Sequence, residues 1–205
     1  MYKRQSHNTQ SITAELPAVS KDIETYLHAA LDRFRQEQEE RFKALEARLP
    51  QDKVSLVVFS DDMDKVLAGF VIANGALAMG MEVSMYFTFW GLTAIKQTTN
   101  LKGKALKQRM LALMTPAKSE AMGISKLNMF GIGPRMMRSL MKERNVASLE
   151  ELRNIAQEMG TRMIGCTMAM DVMGVDAAEF IDGIELGGVA TFMEEALTSR
   201  ATIFL

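Results

Sequence analysis

The seven residues Lys53-Val54-Ser55-Leu56-Val57-Val58-Phe59 carry no charge after the first, and an unbroken apolar run of this kind reads as a strand covered on both faces. The next thirty residues narrow the fold further. Ser60-Asp61-Asp62 offers acceptor oxygens to the free N–H groups of a helix start, residues 63–79 are long enough for that helix, and Gly80 stops it. Residues 82–89 then supply a second apolar strand. Strand, helix and strand in this order predict a parallel pair joined by a right-handed crossover, with residues 60–62 and 87–91 together at the carboxyl edge of the sheet.

The alternation continues to the end of the chain. Residues 93–126 read as helices and a mobile insertion; Lys96, Lys102, Lys104, Lys107 and Arg109 lie among apolar residues there without aromatic neighbours for base stacking, so a solvated helix face is expected rather than nucleic acid. Phe130-Gly131-Ile132-Gly133-Pro134-Arg135 leads into a helix ending near Arg144. Two glycines before a helix can cradle an anion, but neither a dinucleotide fingerprint nor a Walker lysine accompanies them. Ser148-Leu149-Glu150-Glu151 has the spacing of a capped helix start, and Gly160 ends that helix. Residues 161–165 read as a strand, 180–186 as another, 189–197 as a helix and 201–205 as the last strand. Residues 51–205 are therefore expected to form a three-layer α/β domain with a mainly parallel sheet of about five strands in a flavodoxin-like order.

Ahead of this domain, residues 1–20 are polar, contain Pro17 and read as a flexible lead-in; residues 21–50 read as a long amphipathic helix closed by Pro50. Its seam of Leu27, Leu31, Phe34, Phe42, Leu45 and Leu49, with Gln38 at the missing position, needs a covering surface. The short link from Leu49 to Lys53 limits docking within one chain, so the same helix of another subunit, in a homo-oligomer, is the preferred cover. With 205 residues, 48% of them hydrophobic, the chain can bury one sizeable core plus such an appendage. A formal net charge of -1 gives no global attraction to nucleic acid or an acidic membrane. Residues 66–90 hold a single charge, Glu82, but Gly80 divides them, and residues 66–81 fall short of the ~20 that a spanning helix needs. A buried core helix is expected there, with association at a membrane surface left open. One cysteine excludes an internal disulfide, and the polar start lacks the apolar stretch of a secretory signal; both place the chain in a reducing cytoplasm.

That cysteine, Cys166, lies where the strand at 161–165 hands over to a helix beginning near Thr167. Free backbone N–H groups and the helix dipole at such a junction favour a thiolate, whereas a free cysteine is also commonly a small buried hydrophobe. Placement alone leaves both readings open. His7 and His28 fall outside the α/β core, which excludes a Cys-His dyad within it and a Cys/His zinc site. Activation would come from the helix end, backbone amides, or a cation such as Lys96 or Arg135. Neither a metal nor a cofactor is expected. Met110, Met114, Met122, Met129, Met136, Met137 and Met141 suit either ordinary core or an adaptable surface.

Several ordered motifs resemble the DsrE/DsrF-like sulfur-transfer proteins, particularly their longer DsrE-like branch. They are Ser60-Asp61-Asp62-Met63-Asp64-Lys65, Ala73-Asn74-Gly75-Ala76, Phe87-Thr88-Phe89-Trp90-Gly91-Leu92, Gly131-Ile132-Gly133, the stretch from Cys166-Thr167-Met168 to Gly174, and Gly187-Gly188-Val189-Ala190. The resemblance implies a parallel α/β fold, oligomeric assembly, and a cysteine, by position Cys166, that carries sulfane sulfur as a persulfide between donor and acceptor proteins. It makes the chain a sulfur carrier or a sulfurtransferase. A small-ligand or nucleotide module using the same sheet edge, and a structural oligomer with an inert thiol, are the alternatives. Cys166 is expected to be partly accessible, with Ser60, Asp61, Phe89, Trp90, Gly131, Gly133 and Thr167 lining its site.

Overall fold

A computed structural model describes residues 19–46, 49, 51–101, 103–126 and 128–205. Contacts within the chain divide it into two units after Leu49. The first holds α1 (Val19–Glu46), which begins slightly ahead of the expected start. Residues 1–18, where a flexible lead-in was expected, and Pro50, the expected helix stop, lie outside the described residues, as does Lys102. The apolar seam of α1 is exposed along its length, the best covered member being Leu31 at 50%.

The second unit runs β1 (Gln51–Val58), α2 (Met63–Ala78), β2 (Glu82–Phe87), a 3-10 turn (Phe89–Ile95), α3 (Leu106–Met114), α4 (Ile132–Glu143), α5 (Leu149–Glu158), β3 (Arg162–Cys166), α6 (Thr167–Met173), β4 (Glu185–Gly187), α7 (Val189–Thr198) and β5 (Ser199–Phe204). Its five strands are all parallel. The order is β4-β3-β2-β1-β5, not the flavodoxin order 2-1-3-4-5. Successive crossovers step in one direction from β1 to β4, and α7 then returns the chain to the far side of β1. Two other details differ from expectation. β2 stops at Phe87 because Phe89 adopts φ +48, which an extended strand does not allow. β4 is confined to Glu185–Gly187 because Phe180 instead forms an antiparallel bridge with Lys96 and Gly183 turns the chain at φ +80.

Adjacent residues of β2 identify which layer covers which face. The Phe87 ring meets Phe70 of α2 at 6.2 Å, and the Tyr86 ring meets Phe192 of α7 at 5.2 Å, so α2 and α7 lie on opposite sides of the sheet. Helix α2 buries Met63, Val66, Phe70 and Ala73 and leaves Val71 and Ile72 outward. Asn74 ties it to α5 by donating to the Leu152 carbonyl at 2.9 Å, and α5 itself starts from the capping box that Ser148 and Glu151 predicted. Among the described residues no helix is long and apolar enough to cross a membrane.

Helix α7 is pinned to its face by Glu195, which pairs with Lys53 of β1 and Arg162 of β3. Elsewhere Glu179 is buried between Lys104 and Lys96, the latter at 3.2 Å. Burial works against both carboxylates, yet their cations outweigh it and hold each below its ordinary value of 4.5. A depressed carboxylate stabilises the fold fully above its unfolded value and loses that contribution as pH falls through the folded one. The thermal midpoint, followed by circular dichroism, is therefore expected to change little between about pH 7 and 5.5 and to fall steeply below pH 4.5.

Candidate functional site

The registers bring a row of hydroxyls onto the α7 face of the sheet. Ser55 and Ser84 are paired across β1 and β2 with their oxygens 2.7 Å apart, and Ser199 of β5 reaches Ser55 at 2.8 Å. Ser84, Tyr86 and Thr88 follow one another at every second residue and so share this face. The β2–β3 register places Ile164 beside Tyr86, and its continuation places Cys166 beside Thr88. Cys166 thus stands at the carboxyl end of β3, on the N-cap of α6, with the hydroxyls of Tyr86 in β2 and of Thr88 just past its end next to it.

Burial acts to raise the Cys166 thiol above its ordinary value of 9.0, but the nearby Tyr86 and Thr88 hydroxyls and the Ala169 and Met168 N–H groups outweigh it, and the thiol lies lower. The groups that lower the thiol are hydroxyls and helix-end amides, not a cation. Lys96 is committed to Glu179, and Arg135 borders a different cavity. The Tyr86 hydroxyl is buried without a fully formed hydrogen bond, and burial first, then the facing sulfur, push it above the range of an ordinary phenol.

The expected lining residues divide into two groups. Phe89 and Trp90 belong to the 3-10 turn that packs against β3 and α6, and Thr167 directly follows the cysteine. Phe89 also meets Phe59 at 5.6 Å, and Trp90 is 37% exposed at the surface. Asp61 and Gly131 instead border a cavity of about 670 Å³ together with Asp62, Asn128, Arg135 and Arg138; Cys166 is absent from its lining. Ser60 donates to Asp62 at 2.9 Å within this second group, burial raises the Asp61 carboxyl, and Gly133 is buried at the start of α4. Cys166 itself is 1% exposed, in place of the partial access expected from its position. The methionines expected as core or adaptable surface also divide: Met122 is buried, whereas Met110, Met114, Met129 and Met136 are exposed.

Tyr86 and Thr88 were missed as site residues. Their signal was present as the alternation Ser84, Tyr86, Thr88 in an otherwise apolar strand, which sets three hydroxyls on one buried face.

The sequence pattern that defines the DsrE/DsrF/DrsH-like family matches residues 50–204. The chain belongs to this family. Family membership starts just before β1, leaving α1 outside the match. Relatives include the uncharacterized protein YrkE of Bacillus subtilis, 37% identical over 154 residues that cover 75% of this chain and 96% of YrkE. The sulfur carrier protein DsrE2 of Allochromatium vinosum is 33% identical over 159 residues, 77% of this chain and all of DsrE2. The ychN protein from E. coli, a solved structure, superposes with a TM-score of 0.43 at 11% identity, covering 75% of this chain and 98% of that one. Membership in this family supports a role in sulfur relay.

Proposed function

We propose that Cys166 receives sulfane sulfur as a persulfide and passes it to an acceptor protein. The carrying observation is a single thiol at the β3–α6 junction, where the start of α6 and the hydroxyls of Tyr86 and Thr88 surround it. In the loading step the Cys166 thiolate attacks the outer sulfur of a donor persulfide. A sulfur–sulfur bond forms on Cys166 as the donor's breaks, and the donor leaves as its own thiolate, so no oxidant is consumed. Delivery runs the same exchange toward the acceptor. The chain acts as a carrier, or as a sulfurtransferase where the exchange turns over. A cytoplasmic setting keeps the lone thiol reduced between cycles. The relative named as a sulfur carrier supports this reading.

The decisive measurement is intact-protein mass after incubation with a sulfane sulfur donor. A reducible gain of about 32 Da, one sulfur, is expected on Cys166. A chain that takes up no sulfur from any persulfide donor tested returns Cys166 to the role of a structural residue. Tyr86 is a positioning residue in this scheme. Tyr86→Phe removes one donor to the thiolate, so the ionisation midpoint of Cys166 should move up and its alkylation at neutral pH should slow severalfold, with Thr88→Val acting in the same direction. An unchanged ultraviolet thiolate titration in both variants would remove the hydroxyls from the mechanism.

We also read the protein as a homo-oligomer. β5 is an edge strand that leaves Phe204 69% exposed, and Val189, Met193 and Leu197 of the neighbouring α7 add further uncovered apolar surface.

A further inference from the structure

The exposed seam of α1 has a repeat of its own. Ile23, Phe34 and Leu45 are spaced at eleven residues. So are Leu27 and Gln38, with Leu49 eleven further on, beyond the end of α1, and Leu31 stands eleven before Phe42. Eleven residues in three turns is about 3.67 per turn, slightly more than the straight helix provides, and helices with that repeat wind around one another with a right-handed twist. We propose that the α1 helices of two copies of this chain pair in parallel and in register as a right-handed coiled coil.

Charge and polarity select this partner and this direction. Gln38 is the one polar residue in the seam. In a parallel, in-register pair it meets Gln38 of the other copy, so each amide finds a partner, and a single buried polar pair of this kind fixes register. Antiparallel packing centred near residue 36 would instead set Gln38 against Phe34.

The residues flanking the seam argue the same way. Arg41 lies on one flank and Glu24, Arg35 and Glu46 lie on the other. In a parallel pair opposite flanks face each other five residues apart, which sets Arg41 beside Glu46 of the other copy, twice by symmetry. Arg41 already holds Glu37 at 2.8 Å within its own helix, so the cross-pair extends an ion pair that is in place. The antiparallel alternative brings like flanks together, Glu24 against Glu46 and Arg35 against Arg35, and both contacts repel. The inference builds on the homo-oligomeric reading and adds the surface, the direction and the register.

Cross-linking in the full-length chain tests it. With Cys166→Ser leaving one thiol per chain, Gln38→Cys is expected to form a covalent dimer on mild oxidation, because facing seam positions fall within disulfide reach. Gln36→Cys, on the outer face, should not. Should Cys166→Ser fail to fold by circular dichroism, the same substitutions are made on the Cys166 chain and the bridge is located by peptide mass. Phe34→Glu should raise the dissociation constant at least about tenfold by sedimentation. Arg41→Glu should also weaken the pair, and adding Glu46→Arg should restore it.

A monomeric chain, or an oligomer in which position 38 cross-links no better than position 36, overturns the coiled coil; the second result leaves oligomerisation to the α/β domain. A bridge between Phe34→Cys and Gln38→Cys chains, without one between two Gln38→Cys chains, overturns the direction. Sulfur loading of Cys166 is read separately by mass, so failure here and failure there are distinguishable.

Discussion

Cys166→Ser is expected to abolish sulfur loading while leaving the domain folded. Cys166 caps α6 without a side-chain hydrogen bond, so a hydroxyl oxygen of similar size in its place costs the helix start no partner and leaves the Tyr86 and Thr88 hydroxyls where they stand. The thermal midpoint should change by about 4 °C or less, the equivalent of about 1 kcal/mol. Serine cannot hold a second sulfur by thiolate exchange, so the 32 Da gain (about one sulfur atom) should fall to background. Loading at the wild-type level would move the sulfur elsewhere on the chain and sink the proposal, because Cys166 is its sole cysteine.

Gly91→Ala should be the most damaging small substitution in the turn that closes on the end of β1. A Cβ at Gly91 would lie 2.0 Å from the Val58 carbonyl oxygen and 3.2 Å from the Phe59 nitrogen, and both are backbone atoms with no freedom to swing aside. Gly91 also donates its N–H to the Phe59 carbonyl at 2.8 Å, the bond that fastens the Phe89–Ile95 turn to the end of β1. Admitting a methyl group requires the turn to lift, breaking that bond and uncovering the ends of β1 and β2. We expect a loss of about 3 kcal/mol or more, read as the shift of the urea midpoint, or no soluble folded protein at all. Gly75→Ala is the matched comparison. Gly75 sits inside α2 with nothing within 4 Å of its added Cβ, so the same change there should stabilise the fold by up to about 1 kcal/mol. Equal effects at the two glycines would contradict the close packing of the turn on β1.

What could be read from the chain itself was local. The β1–α2–β2 unit, the Ser148 capping box, the helix stops at Gly80 and Gly160 and the placement of Cys166 at a strand end all depend on neighbours within a few residues. Strand order depends on which edge of β1 the last strand takes, and nothing near Ser199 states that. The hydroxyls beside Cys166 come from Tyr86 and Thr88, about eighty residues earlier, and only the register of β2 against β3 aligns Thr88 with it. Its burial likewise required knowing that the Phe89–Ile95 turn folds back over β3. Gly131 misled for the same reason. Its loop resembled a site motif, yet α4 carries it to the cavity beside Asp61 rather than to the thiol.

The pairing of β5 with β1 has a consequence during synthesis. Ser55 and Ser199 share a hydrogen bond across 144 residues, so one edge of β1 has no native partner until almost all the chain has been made. At a ribosomal pace of ~5–20 residues per second that interval is roughly 7 to 30 s. Cys166 also emerges before α7, the helix that packs against its face of the sheet. A nascent chain in this window offers an open strand edge, and it is then that aggregation competes most directly with folding.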